Sequence, residues 1–222
     1  MRDHCGMTEV SSLTGRLLVA TPVLADPNFD RAVVLLLDHD AEGSLGVVLN
    51  RPTPVDVVDI LEPWAALAGE PGVVFQGGPV SLDAALGVAV VPASQGRGHA
   101  AGERPGAAAR DGDGSPGEAD GEGGDGPLGW RRVHGAIGLV DLEAPPELLA
   151  AELGSLRIFA GYAGWGPGQL EKELSEGAWY VVESEPGDVS SPSPERLWRS
   201  VLRRQRSELA MVATYPDDAS LN

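Results

Sequence analysis

Cysteine is almost absent from the sequence, since Cys5 is the single one among 222 residues. A lone cysteine forms no disulfide within the chain and provides no cysteine-based metal site. The longest purely aliphatic stretch, residues 32–37, is far shorter than the roughly 20 apolar residues that span a bilayer. Residues 1–12 have no apolar core after Arg2, so no secretory signal is predicted. These absences favour a protein of the reducing cytoplasm.

Basic residues are also scarce. The 16 lysines and arginines face 33 aspartates and glutamates, which gives a formal net charge of −17. A surface of this sign repels nucleic-acid phosphates and anionic lipid at long range. The net charge therefore argues against non-specific nucleic-acid binding and against a membrane partner, while a local basic patch stays compatible with it.

Residues 96–127 contain no Val, Ile, Leu, Met or aromatic residue and are rich in Gly, Ala, Asp, Glu and Pro. Such a segment buries too little apolar surface to offset the entropy of ordering it, which predicts a disordered acidic loop. It is either a docking or regulatory linker or a tolerated surface insertion. The predicted organisation is a flexible tail at 1–12, one domain at 13–205 that this loop interrupts, and a C-terminal tail at 206–222.

The rest of the chain predicts one compact α+β domain. Short apolar runs bounded by Gly, Pro, Asn and Asp are typical of strands, and the fully apolar run at 33–40 predicts a buried central strand. Strands are predicted at residues 15–20, 33–40, 45–50, 72–76, 86–91, 130–141, 155–162 and 178–184. Helices are predicted at 55–67, 144–153 and 191–205, and a further helix is predicted directly after residue 166.

Four motifs stand in a distinctive order: LADPNFDR, GSLGVVLNRP, VFQGGPV and GYAGWGPGQLEKEL. In this combination the chain resembles the AlgH/YqgE family of bacterial proteins, which are nominally transcriptional regulators. The similarity spans roughly residues 13–204 apart from the inserted loop. It implies a mixed, mostly antiparallel, strongly curled and branched sheet packed by a few helices. It implies neither a DNA-binding module nor a particular reaction.

The last motif, GYAGWGPGQLEKEL, predicts a strand-to-helix corner with Gly166 as N-cap, Pro167 at the first helical position and Gly177 as left-handed C-cap. The corner is either structural or an anion site formed by the N–H groups of residues 166–169. The second glycine turn, in VFQGGPV, matches no phosphate-loop pattern. If the corner does form a ligand site, our best hypothesis is that the two turns wall a shared pocket. Its candidate residues are Gln76, Gly77, Gly78, Trp165, Gly166, Gln169 and Glu171.

Polar residues are also concentrated in DPNFDR and LNRP. Asp26 can form local turn bonds and Asn50 can end a strand. Arg31 and Arg51 can pair with carboxylates or anchor an anionic ligand. These four residues are added to the candidate ligand site. An alternative hypothesis is an enzyme for a small anionic substrate, which uses one of these arginines with Glu171 or Asp26.

The helix predicted at 191–205 is amphipathic, with Ser193 as N-cap and Pro194 after it. At about 100° per residue, one face is apolar and the opposite face is basic. The basic stripe is either a surface that complements the helix dipole and the acidic body, or a patch for a partner or nucleic acid. Its residues are Arg196, Arg199, Arg203 and Arg206.

Catalytic and metal-binding patterns are missing from the sequence. There is no H-E-x-x-H, no paired-cysteine spacing, no calcium loop and no nucleophile elbow. His39, between Asp38 and Asp40, is predicted to lie in a solvated hairpin turn. We therefore expect no metal and no cofactor. The favoured function is binding of a protein partner or small ligand, with any effect on transcription indirect, and the oligomeric state is left open.

Overall fold

The computed structural model describes residues 12–92 and 127–216 of the chain. Within these residues the chain forms ten strands and six α-helices, which confirms the predicted α+β class. The strands are β1 (Arg16–Ala20), β2 (Val33–Asp40), β3 (Gly43–Val48), β4 (Pro52–Asp56), β5 (Val73–Gln76), β6 (Val80–Val90), β7 (Trp130–His134), β8 (Ile137–Val140), β9 (Ser155–Trp165) and β10 (Trp179–Glu183). The helices are α1 (Val57–Ile60), α2 (Glu62–Ala65), α3 (Gln169–Ser175), α4 (Pro186–Val189), α5 (Leu197–Arg204) and α6 (Leu209–Val212).

The strands form a single branched sheet. Its main path is β10-β1-β2-β3-β9-β6-β8-β7, and β4 joins through β5 as a branch. The branch point is β9, because its residues 163–165 pair with β3 while Phe159 and Ala160 pair in parallel with β5. The other strand pairings are antiparallel. The mixed, mostly antiparallel, strongly curled sheet expected from the family resemblance is thus confirmed.

The strands β1 and β2 are buried on both faces, which explains why their sequences are continuously apolar. Side chains alternate between the faces of a strand. Leu17 and Leu35 therefore join a core cluster that α5 covers, whereas Leu18 and Leu36 join a second cluster under α3. The prediction of a buried central strand at 33–40 is correct.

Three elements differ from the sequence-based prediction. Residues 130–141 form a hairpin, β7 and β8, instead of one strand, and Gly135 at a φ of 54° makes its turn. Residues 144–153 form only the 3₁₀ turn Pro146–Leu148, because a short helix needs an apolar face to pack and only Leu149 there is fully buried. The segment 55–67 forms two single turns, α1 and α2, instead of one helix.

The C-terminal helix is shorter than predicted. A 3₁₀ turn, Pro194–Arg196, precedes α5, and the side chain of Ser193 forms no capping bond. Its apolar face is buried as expected. The predicted tail at 206–222 begins too early, because α6 follows and Ala213 is fully buried in the core. The acidic loop lies outside the described residues apart from Pro127, and so does the N-terminal tail apart from Ser12.

The helices of the described ranges are all short. None of those in residues 12–92 and 127–216 has the length and apolar composition that a membrane crossing requires.

Candidate functional site

The helix after β9 begins two residues later than its sequence predicts. Gly168, at a φ of 71°, is the N-cap, so α3 begins at Gln169 and not at Pro167, and Gly166 is not the cap. The carbonyl of Gly166 accepts the N–H of Gln169 at 3.0 Å, and the N–H of Gly166 donates to the Gln169 side chain at 3.1 Å. These N–H groups are thus bonded within the chain. Gly177 is left-handed at a φ of 75°, as predicted for the end of the helix.

Glu173 connects this helix to two tryptophans. Its Oε2 accepts the indole N–H of Trp165 at 3.0 Å and that of Trp179 at 2.9 Å. Its Oε1 accepts the amide of Gln169 at 3.2 Å, one helical turn away. Because both indoles are at most 6% exposed, Glu173 satisfies two donors that water barely reaches.

Three aromatic rings pack beside this carboxylate. The ring centroids of Phe29 and Trp165 lie 6.2 Å apart, those of Phe29 and Trp179 5.5 Å, and those of the two tryptophans 6.1 Å. These spacings are typical of stacked and edge-to-face pairs. The rings fill the space between one another, so a ligand can contact only their outer rims.

A cavity of about 170 Å³ lies against these rims, and we call it the tryptophan pocket. It brings together the two glycine turns, because Pro79 of the first faces Trp165 and Gln169 of the second. The hypothesis of a shared pocket requires the two glycine turns to lie beside the same cavity, as they do here. Ligand binding in this pocket stays a prediction. The pocket is lined by Leu24, Asp26, Phe29, Pro79, Gly164, Trp165, Gln169, Glu173 and Trp179.

Glycines at 77 and 78 allow the first turn to approach β9. A Cβ on Gly78 would lie 2.1 Å from the carbonyl carbon of Tyr162, and one on Gly77 would lie 2.3 Å from the carbonyl oxygen of Gly161. Real side chains do not reach such distances. The two glycines are therefore needed for packing, and their contribution to the pocket is to place Pro79 there.

Two further cavities follow the tryptophan pocket in a row, and we call the three together the groove. A central depression of about 70 Å³ shares Pro79 with the tryptophan pocket, and a further cavity of about 320 Å³, the arginine pocket, shares Arg51 with the depression. Residues of the loop 24–31 line all three. The central depression is lined by Pro27, Asn28, Val48, Arg51, Gln76, Gly78 and Pro79. The arginine pocket is lined by Asp30, Arg31, Asn50, Arg51, Glu195, Trp198 and Arg199.

The side chain of Asn50 fixes the backbone of the arginine pocket through two hydrogen bonds. This side chain is buried, accepts the N–H of Val33 and donates to the carbonyl of Arg31, both at 2.9 Å. These bonds fix Arg31 in a left-handed conformation, with a φ of 51°, that residues other than glycine seldom adopt. The guanidinium of Arg31 lies 5.1 Å from the ring centroid of Trp198.

The arginines of this pocket are half-buried. Burial lowers the pKa of Arg51 from its ordinary value, and the carboxylate of Asp30 opposes this shift. Arg31 donates to the carbonyl of Pro216, and Arg199 donates to that of Tyr215 at 3.1 Å. The arginine pocket thus holds the C-terminal segment of the described chain in place.

Comparison with known proteins identifies the family of the chain. A family model described as AlgH-like, DUF179, matches residues 17–210, which include the whole groove. The chain belongs to the AlgH-like family.

Relatives of this AlgH-like protein match it along most of its length. A UPF0301 protein of Streptomyces avermitilis is 80% identical, with 98% of this chain and 99% of that one covered. A UPF0301 protein of Thermobifida fusca is 43% identical, with 95% and 96% covered. A Corynebacterium diphtheriae crystal structure has a TM-score of 0.74 at 28% identity, covering 91% of this chain and 92% of that one. The solution structure of AlgH from Pseudomonas aeruginosa has a TM-score of 0.56 at 23% identity, covering 99% and 100%, and shares the fold.

Glu171, a candidate ligand residue, lies outside the groove of the AlgH-like chain. Its Oε1 is 3.6 Å from Nε2 of His39, whose Nδ1 lies 2.7 Å from the hydroxyl of Ser44. His39 is 4% exposed, so the prediction of a solvated hairpin turn is wrong. The side chain folds inward because a register shift in the hairpin between Leu36 and Asp38 reverses the alternation there.

The predicted basic stripe divides into two parts. Arg196, Arg203 and Arg206 are exposed, as the amphipathic pattern predicts. Arg199 belongs instead to the arginine pocket, because residues 213–215 pack beside α5 and accept its hydrogen bonds. Of the residues that the enzyme hypothesis combines, Asp26 lines the tryptophan pocket and both arginines line the arginine pocket, so this hypothesis stays a prediction.

Several residues that line the tryptophan pocket are absent from the predicted site, among them Phe29, Glu173 and Trp179. The spacing of four between Gln169 and Glu173 was the one available signal for Glu173. In the ranges 12–92 and 127–216 no group of three His, Cys, Asp or Glu side chains is placed to hold a metal ion.

Proposed function

We propose that this AlgH-like protein is a cytoplasmic binding protein for a small ligand and that the tryptophan pocket is the principal site. Any effect on transcription is indirect, through the ligand or through a partner protein that responds to it. The proposal rests mainly on one observation. Two glycine turns that are almost ninety residues apart in sequence line the same cavity of about 170 Å³.

The pocket has features that ligand sites share. Aromatic rims and a few fixed polar groups line it, and Glu173 is held rigidly by three hydrogen bonds. A site whose polar groups already have fixed positions binds with less loss of entropy than one that must be ordered. No basic residue is needed for this proposal, and it is independent of the exposed arginines of α5.

The proposal is tested by thermal melts of the full chain against a panel of metabolites and nucleotides. A ligand at a hundred times its dissociation constant stabilises the folded state by about 2.7 kcal/mol. For a chain of this size, the gain corresponds to a rise in Tm of roughly 5–10 °C.

Two matched variants test whether a compound that stabilises the protein binds in the tryptophan pocket. Asp26 and Asp40 both accept an N–H two residues further on, at 2.8 Å and 2.7 Å, and both are exposed. Asp26→Trp places a bulky ring at the rim of the tryptophan pocket, while Asp40→Trp makes the same change in the β2–β3 hairpin, whose residues do not line the pocket. We expect the hit to stabilise the parent and Asp40→Trp but not Asp26→Trp. Equal stabilisation of all three proteins contradicts the proposed site.

A further inference from the structure

We infer that the tryptophan pocket selects an organic cation, an ammonium group carrying methyl or alkyl substituents. This inference rests on the proposed function, because it names the chemical class of ligand for the same site. It follows from the charges, the hydrogen-bond donors, the aromatic rims and the size of the cavity.

The charges that line the pocket are all negative. Asp26 and Glu173 contribute two carboxylates, and none of the nine lining residues is Lys, Arg or His. The arginine pocket, at the other end of the groove, has three guanidinium groups. A ligand that carries positive charge is thus attracted to the tryptophan end, and the net charge of −17 adds to this attraction.

The indole and amide N–H groups that line the pocket already donate hydrogen bonds to a carboxylate of the same pocket. Both indole N–H groups donate to Glu173, and the amide of Gln169 donates to the same carboxylate. An anion in the pocket would find no indole N–H to bind it and would face two carboxylates. A cation needs acceptors and negative charge, and these are what the pocket presents.

The aromatic rims favour an organic cation over a metal ion. Hard metal ions take six or more oxygen ligands in the case of Ca²⁺, or near-octahedral oxygen coordination in the case of Mg²⁺. The pocket instead offers two carboxylates beside Phe29, Trp165 and Trp179. Alkylated ammonium groups need no such set of oxygen ligands, because their methyl or alkyl substituents can lie against the apolar rims of these rings while a nearby carboxylate attracts the charge.

The size of the pocket agrees with this class of ligand. A volume of about 170 Å³ corresponds to roughly five or six water molecules of liquid volume, which accommodates a trimethylammonium head group. Larger parts of a ligand would extend along the central depression toward Arg51.

The test uses a charged probe and its neutral isostere. Choline carries a trimethylammonium group, and 3,3-dimethylbutan-1-ol has the same shape with carbon in place of nitrogen. Each is titrated into the full chain at matched ionic strength and followed by tryptophan fluorescence and by ligand-observed NMR. We expect choline to bind at least about five-fold more tightly than the alcohol, the ratio that about 1 kcal/mol of attraction between opposite unit charges about 4 Å apart in water gives.

Variants at the two matched turns assign the effect to the pocket. Asp26→Asn keeps an oxygen for the turn bond but removes the charge, and we expect it to weaken choline binding about three- to ten-fold while leaving the alcohol unchanged. Asp40→Asn is the control and leaves both unchanged. Asp26→Trp abolishes both.

The outcomes separate the two proposals. If the alcohol binds as tightly as choline and Asp26→Trp abolishes both, the pocket binds ligands but does not select cations, so this inference alone fails. If choline binding is unaffected by Asp26→Trp, or if neither choline nor n-butylammonium binds, the inference is overturned. The proposed function fails separately when the metabolite panel also gives no hit that Asp26→Trp removes.

Discussion

Replacing Glu173 by alanine tests the centre of the candidate site. The change leaves the indole N–H groups of Trp165 and Trp179 without their acceptor, and both rings are at most 6% exposed. A buried donor that loses its partner costs about 1–3 kcal/mol. Two such donors give an expected loss of about 2–6 kcal/mol, a large part of the 5–15 kcal/mol that stabilises a typical domain.

Two further variants make this prediction specific. Glu173→Gln keeps one carbonyl oxygen that can accept from both indoles, so we expect it to lose less than half as much stability as the alanine variant. Glu176→Ala removes a glutamate at the end of the same helix. Its ion pair with Lys172 is exposed at 3.8 Å and is worth less than about 0.5 kcal/mol.

The assay is equilibrium unfolding in urea, followed by circular dichroism for the whole fold and by fluorescence for the tryptophans. The near-ultraviolet spectrum reports the edge-to-face contact of Trp165 and Trp179, which lie 6.1 Å apart. We expect Glu173→Ala to change that spectrum even under native conditions. A loss of stability for Glu173→Ala no larger than that for Glu176→Ala would refute the reasoning.

Three further predictions concern backbone packing, a buried ion pair and DNA binding. Gly78→Ala should lower the free energy of unfolding by more than about 3 kcal/mol or prevent folding. The control Gly72→Ala, whose Cβ would have nothing within 4 Å, should melt near the temperature of the parent protein. Equal Tm values for the two variants would contradict this prediction. Arg204→Ala should lose about 3 kcal/mol in urea unfolding, because the carboxylate of Asp188 is 3% exposed and accepts its guanidinium at 2.8 Å, while Arg203→Ala should change little. A gel-shift titration at physiological salt should show no sequence-specific submicromolar DNA binding, and such binding would contradict an indirect action on transcription.

The sequence predicts those parts of the fold that depend on local pattern. The strand at 33–40 is recognisable because both of its faces are buried, so every residue from Val33 to Leu37 is apolar. The approach of the two glycine turns was a weaker hypothesis. It agrees with the structure because Gly77 and Gly78 pack directly on the β9 backbone that leads into Trp165.

The parts that the sequence did not predict depend on contacts between distant segments. Glu173 has an ordinary position in an amphipathic helix, and its role comes from Trp165 before that helix and Trp179 after it. Arg199 belongs to a basic stripe in sequence, but residues 213–215 fold back against it. His39 is buried through a local shift in strand register, for which the sequence gives no signal.

The position of β1 in the sheet has a consequence for biosynthesis. β1 lies between β2 and β10, and four of its five residues are buried. About 160 residues separate the end of β1 from the start of β10, so at usual translation rates the β10 partner emerges roughly 10–30 s later. Throughout this interval an apolar strand edge stays open to pairing with other nascent chains. Chains truncated before Trp179 are therefore expected to aggregate, and ribosome-bound chaperones are expected to hold the N-terminal half until the last strand arrives.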